Sequence, residues 1–308
     1  MDTVMTGTRQ TEPFGIIVID KHEGVTSYRI IQILRRMFGT KKVGHTGTLD
    51  PMATGVLPVL LGRAVKAADF LSSEDKGYTA ELKLGIETDT EDTTGKILRE
   101  HANIPGEADV RAAVSSFLGE YDQIPPMYSA IKVGGRKLVD IAREGGEAER
   151  RARRVAIRSI GCEKLSEDTY RLEVECSKGT YIRTLCSDIG KRLGCGGAMA
   201  ALRRTRAGAF DLSSAHTIEE LDSLSDGERR ALVLPAEALF PDFPRVELGE
   251  FYSKLARSGT EIYLKKIHKS FPEGTYVRIC RGGEFFAIGR VDNFPDGPAI
   301  KPVKQLLL

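Results

Sequence analysis

One stretch of the sequence concentrates reactive side chains and backbone freedom. Residues 44–55 read GHTGTLDPMATG and contain three glycines, His45, Asp50 and Pro51. Glycine lets a ligand approach the backbone closely, and a proline pushes the residue before it into an extended conformation. The Asp50 carboxylate would therefore be presented from a fixed backbone, and we interpret the stretch as an active-site loop.

Asp50 also has a purely structural interpretation. An aspartate followed by proline is typical of a helix start, with the aspartate as N-cap and the proline in the first turn. Taken alone, this local pattern favours capping over catalysis. The nearby glycines, and a His45 without apolar neighbours to bury it, shift the balance toward a functional carboxylate.

Three further residues have both a common structural role and a chemical one. Arg183 follows the turn KGTY near the start of a predicted helix. It is either a solvated surface arginine or a bidentate partner of a buried carboxylate, for which Asp50 is the candidate. Tyr78 and Tyr181 are either core aromatics with a solvated hydroxyl or, in an RNA enzyme, platforms for an extruded base. Spacing alone does not show that these residues meet.

Composition indicates an ordinary soluble globular protein. The 308 residues, 41% hydrophobic and 29% charged, suffice for a sizeable core and two domains. A net charge of +2, from 45 basic and 43 acidic residues, favours no particular partner. No apolar run approaches the roughly 20 residues of a membrane span, so we expect a cytoplasmic protein. Five cysteines without C-x-x-C spacing and five scattered histidines predict neither disulfides nor a metal site.

Periodic segments would position the reactive residues. An apolar run at 15–20 predicts a buried strand, and helical spacing from Ser27, a good N-cap residue, predicts a helix that leads to the loop. Further helical patterns are predicted at 64–71, at 108–118 with a stop at Gly119, and from Thr180 as N-cap. Further strands are predicted at 56–61, 78–84, 155–165, 170–177 and 200–210.

The segment from Ile124 to Arg158 has the composition of an inserted arm. It contains two prolines, two double-glycine turns and many basic residues, which either form a solvated insertion or contact RNA phosphates. The arm itself spans 124–152. The residues expected to contact the RNA backbone are Lys132, Arg136, Arg150, Arg151, Arg153 and Arg154. Beyond Pro244, short strands separated by glycine predict a small β-barrel.

Four motifs, in this order, resemble the TruB family of tRNA pseudouridine synthases. They are GHTGTLDPMATGVLPVLLGRA, DKGYTAELKLG, IPPMYSAIKVGGRKL and CSKGTYIRTLCSDIGKRLGCGG. The resemblance runs from about residue 15 to 210, and more weakly through the C-terminal barrel, which looks like a PUA RNA-binding domain. It implies an α+β pseudouridine synthase fold, with a central mixed, mostly antiparallel sheet, flanking helices and the C-terminal barrel.

The resemblance also implies a domain division. Residues 1–13 would be a disordered leader, 14–242 the catalytic domain with its arm, and 243–308 the PUA-like domain. The sequence departs from the family pattern in 1–13 and 211–242, and a proline is often found near Arg153 and Arg154. None of these departures touches the proposed site, but they leave the arm conformation and the PUA orientation open.

Site roles follow from the resemblance position by position. Asp50 would be the catalytic aspartate, paired with Arg183. Tyr78 would stack on the target uracil and assist proton transfer at C5.

Four further residues would bind substrate. His45 would fill the space in the RNA loop that the flipped nucleotide vacates, Tyr181 and Leu202 would line the uracil pocket, and Lys66 matches a recurring lysine of the family.

The implied reaction is isomerisation of uridine-55 in the T loop of tRNA to pseudouridine. That chemistry requires no cofactor or metal. We expect a monomer without an obligatory protein partner that binds the tRNA T arm, with the acceptor stem as a further contact of the C-terminal domain. Two alternatives are a non-catalytic tRNA-binding protein and a subunit of a guide-RNA ribonucleoprotein. The first covalent step stays open between attack at C1′, addition at C6 and removal of the C2′ proton.

Overall fold

The structure is a computed structural model that describes residues 13–71 and 75–307. The predicted leader lies outside these ranges apart from Pro13. The strands are β1 (Gly15–Lys21), β2 (Val43–His45), β3 (Thr54–Leu61), β4 (Lys76–Leu84), β5 (Ile86–Thr88), β6 (Ile97–Glu100), β7 (Gly119–Gln123), β8 (Lys132–Val133), β9 (Arg136–Lys137), β10 (Arg153–Lys164), β11 (Thr169–Cys176), β12 (Gly197–Ala207), β13 (Phe210–Asp211), β14 (Arg245–Glu247), β15 (Ile262–Tyr263), β16 (Tyr276–Arg281), β17 (Glu284–Phe294) and β18 (Gly297–Gln305). The α-helices are α1 (Ser27–Met37), α2 (Ala68–Leu71), α3 (Glu107–Ser115), α4 (Leu138–Arg143), α5 (Ile182–Leu193), α6 (Ile218–Ser223), α7 (Asp226–Ala231) and α8 (Glu250–Arg257).

A mixed sheet forms the centre of the fold. Its strand order is β1-β3-β12-β4-β11-β10-β7, with β2 paired to β3 and β13 paired to β12. Neighbouring strands are antiparallel except β3 and β12, which run parallel where Arg203 faces Thr54 and Arg204 faces Gly55. The predicted α+β class with a mixed, mostly antiparallel sheet is confirmed.

The parallel contact between β3 and β12 depends on Gly55. Its φ of +98° lies in the region that favours glycine. A Cβ at this position would overlap the carbonyl oxygen of Arg204. Glycine therefore lets the strand that follows the loop lie directly against β12.

Helix α1 begins one residue away from the predicted cap. The N-cap is Thr26, whose side chain accepts a hydrogen bond from Arg29 N at 3.0 Å. Ser27 is buried and its hydroxyl binds Leu49 instead. The cap prediction for Ser27 was therefore wrong by one position, because the hydroxyl is used in a tertiary contact that local spacing does not reveal.

Two other predicted helix ends also differ. The N-cap of α5 is Tyr181, and the Thr180 hydroxyl donates to the Ser177 carbonyl at 2.9 Å instead. Helix α3 ends at Ser115, so Gly119 is the first residue of β7 and not the residue that stops the helix. The pattern predicted at 64–71 forms a 3₁₀ helix at Gly62–Ala67 followed by α2.

Two hydrophobic clusters cover the sheet. One contains Ile30 and Leu34 of α1, Leu185 and Ile189 of α5, and Leu82 of the sheet. Burial of these side chains removes apolar surface from water and fixes both helices against the strands that carry the site.

The second cluster joins the sheet to the C-terminal strands. Ile16 and Leu60 share it with Phe285, Ile288 and Leu306. The C-terminal strands form a five-stranded sheet in the order β14-β16-β17-β18-β15, which curls into a half-barrel. The strands predicted beyond Pro244 are present, and their assignment as a PUA-like domain stays a prediction.

All five cysteines are free thiols. Within the described ranges, no helix is both long and apolar enough to cross a membrane.

Candidate active site

The proposed catalytic aspartate lies in a tight turn of the active-site loop. The Ala53 N–H donates to the Asp50 carbonyl at 3.1 Å, and β3 begins one residue later at Thr54. Residues 51–53 form a turn and not a helix, so the interpretation of Asp50 as a helix cap is wrong. The pairing of β3 with β1 and β12 decides the conformation that the local Asp-Pro pattern left open.

Two buried side chains hold this turn from behind. The Ser27 hydroxyl donates to the Leu49 carbonyl at 3.0 Å and accepts from the Leu49 N–H at 2.9 Å. The Lys21 ammonium donates to the carbonyls of Val25 at 2.8 Å and Pro51 at 3.2 Å. Burial lowers the pKa of Lys21 to about 8, and the negative charge of Asp50 opposes that shift. Residues on both sides of Asp50 are thus fixed by the core.

Arg183 lies against Asp50, which spacing alone could not show. Its Nε is 2.9 Å from Asp50 Oδ2. The rest of the guanidinium is occupied, because Nη1 donates to the Thr90 carbonyl at 2.9 Å and Nη2 to the Tyr128 carbonyl at 2.8 Å. The Arg183 side chain is 6% exposed and that of Asp50 38% exposed. A buried, immobilised cation therefore orients a carboxylate that a ligand can reach.

A second carboxylate, Asp92, completes the surroundings of Arg183. Its Oδ2 is 3.7 Å from Arg183 Nη1. Asp92 Oδ1 accepts from the Thr94 N–H at 3.0 Å and from the Thr90 hydroxyl at 2.8 Å. In the sequence this segment, residues 87–95 (ETDTEDTTG), is only an acidic stretch rich in turn-forming residues. Its turn chemistry builds a rigid support for the guanidinium.

Tyr78 and Leu202 come from neighbouring antiparallel strands. Tyr78 on β4 faces Arg204 on β12, and Leu202 faces Ala80. Both Tyr78 and Leu202 are 9% exposed. Burial raises the pKa of the Tyr78 phenol above its usual value, and the Arg204 guanidinium opposes that rise.

Arg204 was missed as a site residue. Its Nε donates to the Val56 carbonyl at 2.6 Å and its Nη2 to the Gly47 carbonyl at 3.2 Å, with a longer contact of 3.5 Å from Nη1 to the Thr48 carbonyl. In the sequence it is one of several arginines in a basic strand. The only local signal was its position two residues after Leu202.

The backbone of Tyr181 is held by a buried glutamine, Gln123. The Tyr181 N–H donates to Gln123 Oε1 at 2.8 Å, and Gln123 Nε2 donates to the Tyr181 carbonyl at 3.0 Å. Gln123 is the last residue of β7 and leads directly into the arm. It was not predicted, because a glutamine two residues before a proline pair carries no local sign of this contact.

His45 is half-buried at the end of β2. Burial lowers the pKa of its imidazole below the usual value, and the positive charge of Arg204 lowers it further. Its Nδ1 is buried without a hydrogen-bond partner among the described residues. A neutral ring with one unused nitrogen therefore stands beside the loop.

Lys66 lies away from these contacts. It is exposed on the 3₁₀ helix at Gly62–Ala67, and its Nζ donates to the Gln305 carbonyl of β18 at 3.2 Å.

The basic residues of the arm region divide into paired and unpaired ones. Arg136 pairs with Glu144 at 2.6 Å, and Arg150 donates to the Pro125 carbonyl at 3.2 Å. Arg154 pairs with Glu120 and Asp122 at 3.2 and 3.3 Å. Of the six residues expected to contact RNA, Lys132, Arg151 and Arg153 are exposed and form no ion pair within the described ranges. Arg153 and Arg154 belong to β10 and not to the arm.

Known families and proteins match this chain over most of its length. The model of the TruB family pseudouridylate synthase N-terminal domain matches residues 35–182, and that of the tRNA pseudouridylate synthase B C-terminal domain matches residues 183–241. The tRNA pseudouridine synthase B of Alkaliphilus oremlandii is 46% identical over 283 residues, 91% of this chain and 93% of that protein. That of Clostridium tetani is 40% identical over 277 residues, 90% of this chain and 95% of that protein.

Solved structures share the fold. An H/ACA RNP bound to a substrate RNA containing 2'-deoxyuridine includes a chain that aligns with a TM-score of 0.72 at 24% identity, covering 96% of this chain and 86% of its own. A chain of a Cbf5-Nop10-Gar1 complex aligns with a TM-score of 0.70 at 26% identity, covering 96% and 85%.

Proposed function

This chain belongs to the TruB family of pseudouridylate synthases, and from that membership we propose that it converts uridine-55 in the T loop of tRNA to pseudouridine. It is an RNA-modifying isomerase. The N1 glycosidic bond breaks, the uracil rotates while it stays bound, C5 bonds to C1′, and the C5 proton leaves. The curated relatives that support this assignment carry the name tRNA pseudouridine synthase B.

The observation that carries the proposal is the Asp50 carboxylate on the buried Arg183. One oxygen, Oδ2, is fixed at 2.9 Å from Arg183 Nε. No other hydrogen bond to this carboxylate is formed within the described residues, so its second oxygen is available to a nucleoside. Attack at C1′, addition at C6 and removal of the C2′ proton all use that oxygen as nucleophile or base.

The neighbouring side chains suit a pocket for an extruded base. Extrusion costs a few kcal/mol in lost stacking and pairing, which contacts in the pocket must offset. Tyr78 and Leu202 offer aromatic and apolar surface on adjacent strands, and Tyr181 lies two residues before Arg183. His45, with its neutral imidazole, would take the place of the nucleotide in the RNA loop.

The rest of the chain would bind the tRNA body. We assign the catalytic domain to 14–242, with an RNA-binding arm at 124–152, and a PUA-like RNA-binding domain to 243–308. The exposed arginines next to the arm would contact T-arm phosphates. Lys66, which joins the 3₁₀ helix to β18, would act at the junction of the two domains.

We propose that the enzyme works as a cytoplasmic monomer without a guide RNA. The structural neighbours include ribonucleoprotein subunits, whereas the relatives that are 40 to 46% identical are tRNA pseudouridine synthases. Activity of the purified chain on a bare T-arm hairpin separates this proposal from both alternatives, because a subunit that needs a guide RNA and a non-catalytic binder would each leave the uridine unchanged.

Tritium release from a T-arm hairpin labelled at uracil C5 tests the catalytic assignment. We expect Asp50→Asn to abolish release and to keep RNA affinity within about threefold, since the change removes one charge and little volume. Asp109→Asn, an exposed aspartate in the first turn of α3, is the matched control and should stay near wild type. Near-normal turnover by Asp50→Asn would overturn the assignment.

A further inference from the structure

Arg204 is a buried cation without a carboxylate partner among the described residues. Its residue is 1% exposed, and none of the ion pairs formed within 13–71 and 75–307 includes it. The preceding arginine shows the ordinary solution, because Arg203 binds both oxygens of Asp20 at 3.1 and 2.7 Å. Removing a guanidinium from water without a counter-ion is costly. The unpaired charge of Arg204 is therefore not explained by a contribution to the stability of the fold.

The partners of Arg204 lie on two sides of the proposed pocket. The carbonyls of Gly47 and Thr48 belong to the loop between His45 and Asp50. On the other side, Arg204 lies directly opposite Tyr78 on the neighbouring antiparallel strand, so both side chains leave the same face of the sheet, and the guanidinium opposes the rise that burial causes in the pKa of the phenol. One side chain thus links the active-site loop to Tyr78.

The direction of these hydrogen bonds is fixed by chemistry. A guanidinium carries only donors, so a hydrogen bond between Arg204 and the phenol has the Tyr78 oxygen as its acceptor. No acceptor among the described residues takes the Tyr78 O–H proton. A phenol held in this way keeps its own proton for a ligand.

We propose that Arg204 is a positioning residue that acts through Tyr78. It holds the phenol by its oxygen, which fixes the orientation of the ring toward the bound uracil, and it keeps the Gly47–Thr48 segment at a fixed distance from that phenol. This inference rests on the proposed function, because it concerns the same site. It assigns a role to a residue that neither the sequence motifs nor spacing singled out.

Single-turnover tritium release on the T-arm hairpin tests the role. We expect Arg204→Met to lower the rate constant about 100-fold, the size of effect that small misplacements in a site produce, with the Kd for RNA within about threefold. Arg204→Lys, which keeps the charge and one donor group, should recover about tenfold of that loss. The control is Arg203→Met, which breaks an ion pair in the adjacent position and should stay within about threefold of wild type. Equal losses in Arg203→Met and Arg204→Met would overturn the proposal.

A double-mutant cycle separates action through Tyr78 from general damage. If Arg204 works through the phenol, Arg204→Met should change the rate by less than about threefold once Tyr78 is phenylalanine. A further loss of about 100-fold in the Tyr78→Phe background would show that the two residues act independently, and the proposal would fail.

An NMR titration of His45 tests the placement of the charge without any turnover. Arg204→Met should raise the pKa of the imidazole by about half a unit or more, and Arg204→Lys should leave it near the wild-type value. His45→Asn assigns the resonance. If the wild-type protein released no tritium, the proposed function would fail. The titration would still show whether the Arg204 charge lies near His45. An unchanged His45 pKa in a folded Arg204→Met protein would contradict the placement.

Discussion

The Ser27 hydroxyl and the Leu49 peptide exchange two hydrogen bonds, at 3.0 and 2.9 Å, across 22 residues of sequence. One small side chain therefore satisfies both backbone groups of the residue that precedes Asp50. These two hydrogen bonds consequently fasten the start of α1 to the loop that carries the proposed catalytic residue.

Substitution of Ser27 by alanine should damage both stability and turnover. The change leaves the buried N–H and carbonyl of Leu49 unpaired, which costs about 1–3 kcal/mol. Thr26→Ala removes the true N-cap of α1 at a cost of about 1 kcal/mol, without touching the loop. Urea denaturation and single-turnover rates should show loss of stability in both variants but a tenfold or larger loss of rate, roughly the effect of a small misplacement, in Ser27→Ala alone. Equal single-turnover rates in the two variants would show that the Leu49 peptide does not help to position Asp50.

Lys21 should give the folding equilibrium a pH dependence with a defined sign. Burial lowers the pKa of Lys21 to about 8 in the folded protein, against 10.5 as the ordinary value. Between these two values the unfolded chain binds more protons, so the free energy of unfolding rises with pH. The destabilisation is complete below pH 8 and is relieved as pH approaches 10.5.

Denaturation curves of wild type and Lys21→Met measure this effect. A difference of one bound proton between the unfolded and folded states changes the free energy of unfolding by about 1.4 kcal/mol per pH unit. We therefore expect the free energy of unfolding of wild type to rise by about 1–2 kcal/mol relative to the variant between about pH 8 and 10. Other titrating groups cancel in the difference. Parallel stability profiles for the two proteins would mean that Lys21 keeps its ordinary pKa.

Gln123 should position the start of α5. Gln123→Leu leaves the N–H and carbonyl of Tyr181 without their partner, at a cost of about 1–3 kcal/mol, two residues before Arg183. We expect a loss of about tenfold in kcat with a smaller change in KM for T-arm RNA. Gln123→Glu keeps the acceptor for the Tyr181 N–H and loses the donor, so it should lie between wild type and Gln123→Leu. Full activity in both variants would exclude this role.

The salt dependence of RNA binding tests the basic residues beside the arm. Arg151 and Arg153 are exposed and lie outside the ion pairs of the described residues, whereas Arg154 is paired with Glu120 and Asp122. Neutralising Arg151 and Arg153 together should flatten the plot of log affinity against log salt by about 0.7 to 0.9 for each RNA phosphate that the protein no longer neutralises. Arg154→Gln is the matched control and should change the slope less. Identical slopes in all proteins would mean that these arginines are only solvated.

The elements of the sheet were predictable because their signals are local. The apolar run of β1 and the alternation in β4, β10 and β11 lie within each strand. The half-barrel strands were visible in the same way. Whether Asp50 caps a helix or lies in a turn was not predictable, because the Asp-Pro pattern is common to both. The pairing of β3 decided between them.

The buried side chains that hold the proposed site in place could not be predicted from the residues next to them in the sequence. Lysine, arginine and glutamine are usually exposed, yet Lys21, Arg204 and Gln123 are all buried here. Arg204 reaches Val56 across 148 residues, and Gln123 reaches Tyr181 across 58. Such contacts are properties of the assembled sheet, so family motifs pointed to Asp50 and Arg183 but not to the residues that hold them.

The contacts of the Arg183 guanidinium also have a consequence for folding during synthesis. It joins Asp50, Thr90 and Tyr128, three segments that lie far upstream in the chain. Contacts of this kind form only after the entropy of closing long loops has been overcome. During synthesis Asp50 leaves the ribosome well before Arg183, so the nascent chain carries the proposed catalytic carboxylate without the group that orients it. The contacts that orient Asp50 therefore form late in folding, after these distant segments have come together.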